Sequence, residues 1–139
     1  MIGQTLSHYK ILEQIGEGGM GAVYKAEDTN LHRQVALKML REEMASNSDR
    51  LERFKREAQA VAALNHPNIV TIYSIEEAPE GHFMTMELVQ GKGLDELVVG
   101  DGMSSERMLE IARPLIQALV AAHGRGITHR DLKPANVMV

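Results

Sequence analysis

The 139 residues are 44% hydrophobic and 24% charged, a composition that indicates one soluble, folded domain rather than a disordered chain. Fifteen Lys and Arg stand against 19 Asp and Glu, a formal net charge of −4, which disfavours a nucleic-acid partner, and the absence of cysteine excludes disulfide scaffolds, cysteine zinc sites and cysteine nucleophiles. Because the sequence has neither an apolar run near the roughly 18 residues of a transmembrane helix nor the pattern of a secretory signal, we expect a cytoplasmic chain with no membrane segment.

The first third of the sequence predicts three antiparallel strands. Residues 9–15 lead into a cluster of glycines, residues 22–27 alternate apolar and polar side chains, and residues 34–40 are a third candidate strand. Asp28, Thr29 and Asn30 supply turn residues between the second and third strands. The pattern therefore predicts an antiparallel meander.

A helix and two further strands are predicted next. Leu51, Phe54, Ala58 and Val61 recur at helical spacing, and residues 46–48 offer three N-cap candidates. Residues 66–68, His-Pro-Asn, should end the helix. Residues 69–75 and 82–88 read as strands, and residues 76–81 should form the turn that connects them.

The last third is predicted to be helical. A short helix should run over residues 94–99, and a long one should begin at Ser104 or Ser105 and end near Gly124. Pro114 lies inside the long helix, where it removes one hydrogen bond. Together the elements predict an α+β fold with a five-stranded antiparallel small lobe, one inserted helix and a helical second lobe, the two meeting near residues 87–90.

A glycine motif follows the first predicted strand. Residues 16–23, Gly-Glu-Gly-Gly-Met-Gly-Ala-Val, match G-x-G-x-x-G-x-V. A dinucleotide-binding fold needs a helix after this motif, whereas a strand is predicted here, and a Walker loop needs a Lys-Ser/Thr ending that is absent. Two interpretations stay open for the motif alone: a hairpin without a ligand, and a hairpin whose backbone N–H groups bind phosphates.

A lysine and a glutamate strengthen the phosphate interpretation. Lys38 ends the apolar run Val35-Ala36-Leu37, where a surface lysine would be the ordinary reading. A lysine held against phosphates needs a counter-charge. Glu57 is the candidate, since it lies one helical turn from both Phe54 and Val61 on the predicted helix.

Residues 129–136, His-Arg-Asp-Leu-Lys-Pro-Ala-Asn, carry the strongest signal. Asp131 can accept a hydroxyl proton, Lys133 can neutralise charge on a transferring phosphoryl group, and the Asn136 amide oxygen can bind Mg²⁺. A merely charged loop would not be expected to combine these groups with the two earlier motifs.

With these three motifs in this order, the chain resembles a eukaryotic-type protein kinase domain, and most of all the bacterial serine/threonine kinases. The resemblance covers roughly residues 9–139: about 9–89 as small lobe and hinge, and about 90–139 as the start of the large lobe with the catalytic loop. It implies that ATP and Mg²⁺ are used to phosphorylate protein Ser/Thr hydroxyls. Lys133 favours serine/threonine over tyrosine specificity.

The resemblance also implies roles for individual residues. Asp131 would be the catalytic base, Lys133 would contact the γ-phosphate, and Asn136 would bind the metal. Lys38 would bind the α- and β-phosphates and form a structural ion pair with Glu57. The remaining ATP-binding residues would be Ile15, Gly16, Glu17, Gly18, Gly19, Met20, Gly21, Val23, Ala36, Met86 as gatekeeper, Glu87 and Val89 in the hinge, and Met138 below adenine.

One family motif is absent from the sequence. Relatives place Asp-Phe-Gly, whose aspartate binds Mg²⁺, shortly after the residue that corresponds to Asn136, and no Asp-Phe-Gly occurs in these 139 residues. We therefore treat the kinase domain as incomplete and expect the 139 residues alone to be inactive. The alternative is a truncated, pseudokinase-like module that binds a nucleotide or a partner.

Overall fold

A computed structural model describes residues 1–18, 21–91, 93–97, 102–127 and 138. The chain divides into two compact units. The first comprises residues 1–63 and 71–88, and the second comprises residues 64–70 and 89–139. Glycine-motif residues 19 and 20, the C-terminal end of the predicted helix 94–99 and the predicted catalytic loop 129–136 lie outside the described residues.

The first unit is built on one antiparallel sheet with the strand order β1-β2-β3-β4-β6-β5. The predicted meander is confirmed as three consecutive neighbours, and the two later strands join its open edge as a hairpin. The strands are β1 (Thr5–Leu6), β2 (Tyr9–Gly18), β3 (Gly21–Asp28), β4 (Arg33–Met39), β5 (Ile72–Ala78) and β6 (Gly81–Met86).

The expected five strands become six within the described residues. The extra strand, β1, is only two residues long and pairs Thr5 with Lys10 and Leu6 with Tyr9. Ser7 takes a positive φ of 57° in the turn that reverses the chain. Two residues are too few to show alternation, so no periodic pattern marked this strand, yet Leu6 is only 1% exposed and belongs to the core.

The two faces of the sheet bury different clusters. On one face Leu6, Ile11, Val35, Leu37 and Phe83 form a core with Tyr9 and Ala26. On the other face, Met84 packs with Leu40 and with Phe54 and Ala58 of the helix that follows β4. Both clusters follow from strand alternation, which sends successive side chains to opposite faces.

Two helices, rather than the single one expected, separate β4 from β5. The short α1 (Glu42–Ala45) precedes α2 (Ser48–Ala62). Asn47 is the N-cap of α2, and its side chain accepts hydrogen bonds from the backbone N–H groups of Asp49 and Arg50. The structure thus selects Asn47 from the three predicted cap residues.

The β5–β6 hairpin has a tighter turn than predicted, and β6 ends at Met86 rather than at residue 88. Strand β5 begins at Ile72 rather than at residue 69, because the backbone N–H of Ile69 turns back to the carbonyl of His66. The hairpin then closes with Ala78 paired to Gly81, whose φ is +133°. Glycine suits this turn because it adopts positive φ without steric cost. The predicted six-residue connector is therefore mostly strand.

The described part of the second unit is helical. It contains α3 (Leu94–Leu97) and α4 (Ser105–Gly124), with Ser104 as N-cap of α4 and Pro114 inside it, as predicted. Ala118 and Ala122 are buried, whereas Met108, Ile116 and Val120 are more than half exposed. Among the described helices, none is long and apolar enough to cross a membrane.

Candidate active site

The glycine motif forms the end of the β2–β3 hairpin. Gly16 is paired with Val23, Glu17 with Ala22, and Gly18 with Gly21. A strand, not a helix, follows the motif, which confirms the reason for rejecting a dinucleotide-binding fold. The two strands reach further toward the hairpin tip than predicted, because β2 continues through Gly16, Glu17 and Gly18 and β3 begins at Gly21.

Gly21 packs directly against the backbone that follows Lys38. A Cβ atom at Gly21 would lie 1.8 Å from the carbonyl oxygen of Met39, and the φ of Gly21 is +147°. At Gly16 a Cβ would lie 3.9 Å from Val23 Cβ, an ordinary contact. The two glycines therefore differ: the backbone packing requires glycine at position 21, whereas a Cβ at position 16 would make only an ordinary contact.

A side-chain contact joins the same two segments. The guanidinium of Arg41 lies 3.8 Å from the carboxylate of Glu17, and both side chains are close to half exposed or more. Sequence reasoning missed this pair and missed Met39. No sequence motif marks either contact. Met39 contributes its backbone carbonyl, which any residue has, and Arg41 and Glu17 are surface charges that are distant in sequence.

Four of the predicted site residues share one face of the sheet. Cross-strand partners in an antiparallel sheet point the same way, as do residues two apart in one strand. Val23 is paired with Lys38, Ala36 is paired with Met86, and Lys38 follows Ala36 by two residues. Ala36 is buried and the other three are half-buried. Ile15 lies at an irregularity of β2 and is 46% exposed.

Helix α2 is packed on this face next to Lys38. Met84, the cross-strand partner of Lys38, belongs to the same cluster as Phe54 and Ala58 of the helix. Glu57 lies between these two helix residues in sequence. Its side chain is 57% exposed and accepts a hydrogen bond from Arg53 Nε at 3.3 Å. The ion pair of Lys38 with Glu57 stays a prediction.

The predicted hinge begins directly after β6. The backbone N–H of Glu87 donates to the carbonyl of Thr71 at 2.8 Å, and the Glu87 carboxylate accepts from the Thr71 N–H at 3.1 Å. Of the backbone groups that Glu87 was predicted to offer, the N–H is thus already engaged. Val89 is half-buried and belongs to the second unit, as does Met138, which is 43% exposed and bridges to Gly93.

The remaining catalytic candidates are not described. Asp131, Lys133 and Asn136 lie outside the described residues, as do Gly19 and Met20 at the hairpin tip. Within the described ranges, no group of three or more His, Asp or Glu side chains could hold a metal ion.

Tyr9, in the core of the first unit, has a shifted pKa. Burial raises the pKa of Tyr9 above its ordinary value of 10.0, a hydrogen bond with Ser74 acts in the opposite direction, and the neighbouring Glu76 raises it further. The Tyr9 hydroxyl donates to Glu76 at 2.9 Å. This group lies on the sheet face opposite Lys38, so it serves the core rather than the candidate site.

Comparisons with known proteins point to one family. The profile of the protein kinase domain matches residues 9–139. The chain is 41% identical to the serine/threonine-protein kinase PrkC of Bacillus subtilis, covering 100% of this chain, and 46% identical to PknB of Mycolicibacterium smegmatis, covering 94%. It spans only 22% of the length of each. The crystal structure of the Mycobacterium tuberculosis PknI kinase domain matches with a TM-score of 0.86 and 30% identity, over 99% of this chain and 56% of that one.

Proposed function

The chain belongs to the protein kinase domain family, and from this premise we propose that the protein transfers the γ-phosphoryl group of ATP to Ser and Thr hydroxyls of other proteins. The observation that carries the proposal is the pairing of Val23 with Lys38. It places a half-buried lysine beside the root of the glycine hairpin on one sheet face. The nucleotide donor is a cytoplasmic metabolite, which supports a cytoplasmic location for this domain.

The hairpin and Lys38 would bind the phosphates together. Backbone N–H groups of a glycine-rich hairpin can approach phosphate oxygens because no side chains intervene. Residues 16–21 would contribute these groups, with Lys38 supplying the cation for the α- and β-phosphates. The contact of Gly21 with Met39, one residue beyond Lys38, supports this joint role because it ties the hairpin to the lysine's own strand.

An ion pair with Glu57 would hold Lys38 in place. The support is the shared cluster in which Met84, opposite Lys38, packs against the helix residues on both sides of Glu57. In the structure Glu57 also contacts Arg53. We propose that the carboxylate also pairs with the Lys38 ammonium and so fixes its orientation toward the phosphates.

The adenine and the reacting groups would be bound by further residues of the family pattern. Ile15, Val23, Ala36 and Met86 would cover the base, with Met138 below it and the hinge residues Glu87 and Val89 offering backbone hydrogen bonds. Asp131 would orient the substrate hydroxyl and accept its proton, and Lys133 would contact the γ-phosphate. Asn136 offers an amide oxygen, the kind of hard ligand that Mg²⁺ prefers, and the ion would neutralise phosphate charge.

The test is phosphoryl transfer by the full-length gene product. We expect transfer of labelled γ-phosphate to Ser or Thr of a protein substrate, reduced by a factor on the order of 10² to 10⁴ in Asp131→Asn. Lys38→Met should also abolish most activity. The matched control is Lys55→Met, which removes an exposed lysine of α2 and should leave activity unchanged. Transfer that persists in Asp131→Asn would contradict the assignment.

A second candidate function is nucleotide or partner binding without transfer. In that case the 139 residues would bind ATP in a manner that depends on Lys38, while neither they nor the full-length product would transfer phosphate. Isothermal titration of ATP against the full-length protein and Lys38→Met, beside the transfer assay, separates the two functions.

A further inference from the structure

The hydrogen bonds between Thr71 and Glu87 depart from a regular ladder. Ile72 is paired with Met86 at the end of the β5–β6 hairpin, so Thr71 and Glu87 form the next pair outward. In a hydrogen-bonded antiparallel pair, each residue donates its N–H to the other's carbonyl. Glu87 does so, to Thr71 at 2.8 Å. The return bond is different, because Thr71 N–H donates to the Glu87 carboxylate at 3.1 Å.

The side chain of Glu87 thus replaces the main-chain carbonyl of the same residue as the acceptor for the Thr71 N–H. In the part of the chain that the structure describes, no backbone N–H donates to the carbonyl oxygen of Glu87. This oxygen is an acceptor at the point where the sheet ends. A leucine here would give Thr71 N–H no side-chain acceptor, and the regular bond to the Glu87 carbonyl would be the natural replacement, since a backbone donor left unpaired is unfavourable.

We propose that the Glu87 carboxylate is a positioning residue for nucleotide selection: by accepting from Thr71, it keeps the Glu87 carbonyl available for the exocyclic amino group of adenine. The inference rests on the proposed function, because it assigns a task to a side chain at the hinge of the same site. The chemistry is specific. An amino group donates to a carbonyl, whereas a purine that lacks the amino group has nothing to donate.

The experiment compares two nucleotides rather than activities. Dissociation constants of ATP and of purine riboside triphosphate, which lacks the 6-amino group, are measured by isothermal titration with the full-length protein. One neutral hydrogen bond corresponds to a preference of roughly three- to tenfold for ATP. We expect this preference in the unsubstituted protein and in Glu87→Gln, whose amide oxygen can still accept from Thr71. In Glu87→Leu the preference should fall to about one.

The control variant is Glu80→Leu, which alters an exposed glutamate at the β5–β6 turn and should retain the preference. If Glu87→Leu weakens both nucleotides by the same factor, the side chain acts only on structure and the inference is overturned. The same holds if the unsubstituted protein binds both nucleotides equally, although the proposed function would survive. If it binds neither nucleotide, the proposed function and the inference both fail.

A second measurement does not depend on the folding of the leucine variant. The amide proton of Thr71 should change its NMR chemical shift as the Glu87 carboxylate is titrated in the unsubstituted protein. In Glu87→Gln this change should disappear, because the amide does not titrate. A Thr71 proton that does not respond to the carboxylate would overturn the inference.

Discussion

Gly21 and Met39 meet backbone to backbone, so closely that a Cβ on the glycine would lie 1.8 Å from the Met39 carbonyl oxygen. Met39 follows Lys38 directly, and Gly21 closes the glycine hairpin with Gly18. The hairpin and the lysine strand are therefore fixed to one another by a contact that allows no side chain. This contact separates two glycines that the motif alone treats as equivalent.

Replacing Gly21 with alanine should destabilise the fold. The side chain would meet backbone, which cannot move aside as a flexible side chain can, and the φ of +147° is strained for any residue but glycine. We expect a loss of about 2–4 kcal/mol in the free energy of unfolding. Urea denaturation followed by circular dichroism measures it. Gly16→Ala is the matched control and should cost under about 1 kcal/mol; equal losses would contradict the packing argument.

Tyr9 should make the stability sensitive to alkaline pH. Burial raises the pKa of Tyr9 in the folded state, so the native protein holds this proton more firmly than the unfolded chain does. The resulting stability is fully present below the ordinary pKa of 10.0 and is lost as the pH rises through the raised folded value. We expect the urea midpoint to fall as the pH rises above the ordinary tyrosine pKa, and Tyr9→Phe should remove the contribution of Tyr9 to this fall. Tyr73→Phe, at an exposed position, should leave the pH dependence unchanged.

Asn47 should stabilise the fold through the hydrogen bonds that its side chain accepts as the N-cap of α2. Its side chain accepts from the N–H groups of Asp49 and Arg50, both at 3.1 Å. Asn47→Ala leaves both donors without this acceptor and should cost about 1 kcal/mol. Ser46→Ala, at a neighbouring cap candidate that α2 does not use, should change the free energy of unfolding by less than about 0.5 kcal/mol. A larger effect at Ser46 would show that the helix begins elsewhere in solution.

Phe83 should be the most costly core side chain to truncate. It is 0% exposed in β6, and its ring meets the Tyr9 ring edge-on with 5.8 Å between centroids. Phe83→Ala should destabilise the protein by about 3–5 kcal/mol. Ile2→Ala, at a residue that is 62% exposed, should have an effect within about 0.5 kcal/mol. Thermal denaturation of both variants measures these losses. A loss at Phe83→Ala as small as that at Ile2→Ala would show that the core is weakly packed.

The elements that could be predicted from the sequence are those whose own residues carry a periodic pattern or a cap. Strand β3 alternates with period two, α2 follows its apolar spacing and a cap residue, and the long helix begins after Ser104 as expected. The glycine motif could be assigned to a hairpin because the strand after it is unmistakable. The family followed from three motifs in order, and the match over residues 9–139 confirms it.

The features that sequence reasoning missed depend on partners far away in the chain. Strand β1 exists because Leu6 is covered by a core assembled from four other strands. The start of β5 was placed three residues early because residues 69–71 are apolar or β-branched like a strand, while the turn at His66 sets the true start. The contact of Glu57 with Arg53 was not predicted either, whereas the predicted pairing of Glu57 with Lys38 stays a prediction.

The strand order also determines the sequence in which the strands can pair while the chain is being synthesised. The ribosome releases β5 before β6, but among the strands of the described residues β5 pairs only with β6. Until β6 arrives, β4 presents an unpaired edge and β5 has no strand to join, a condition that invites pairing with other chains. The meander β1 to β4 can form early from local contacts, whereas the sheet closes in one late step when the nascent chain has passed Met86.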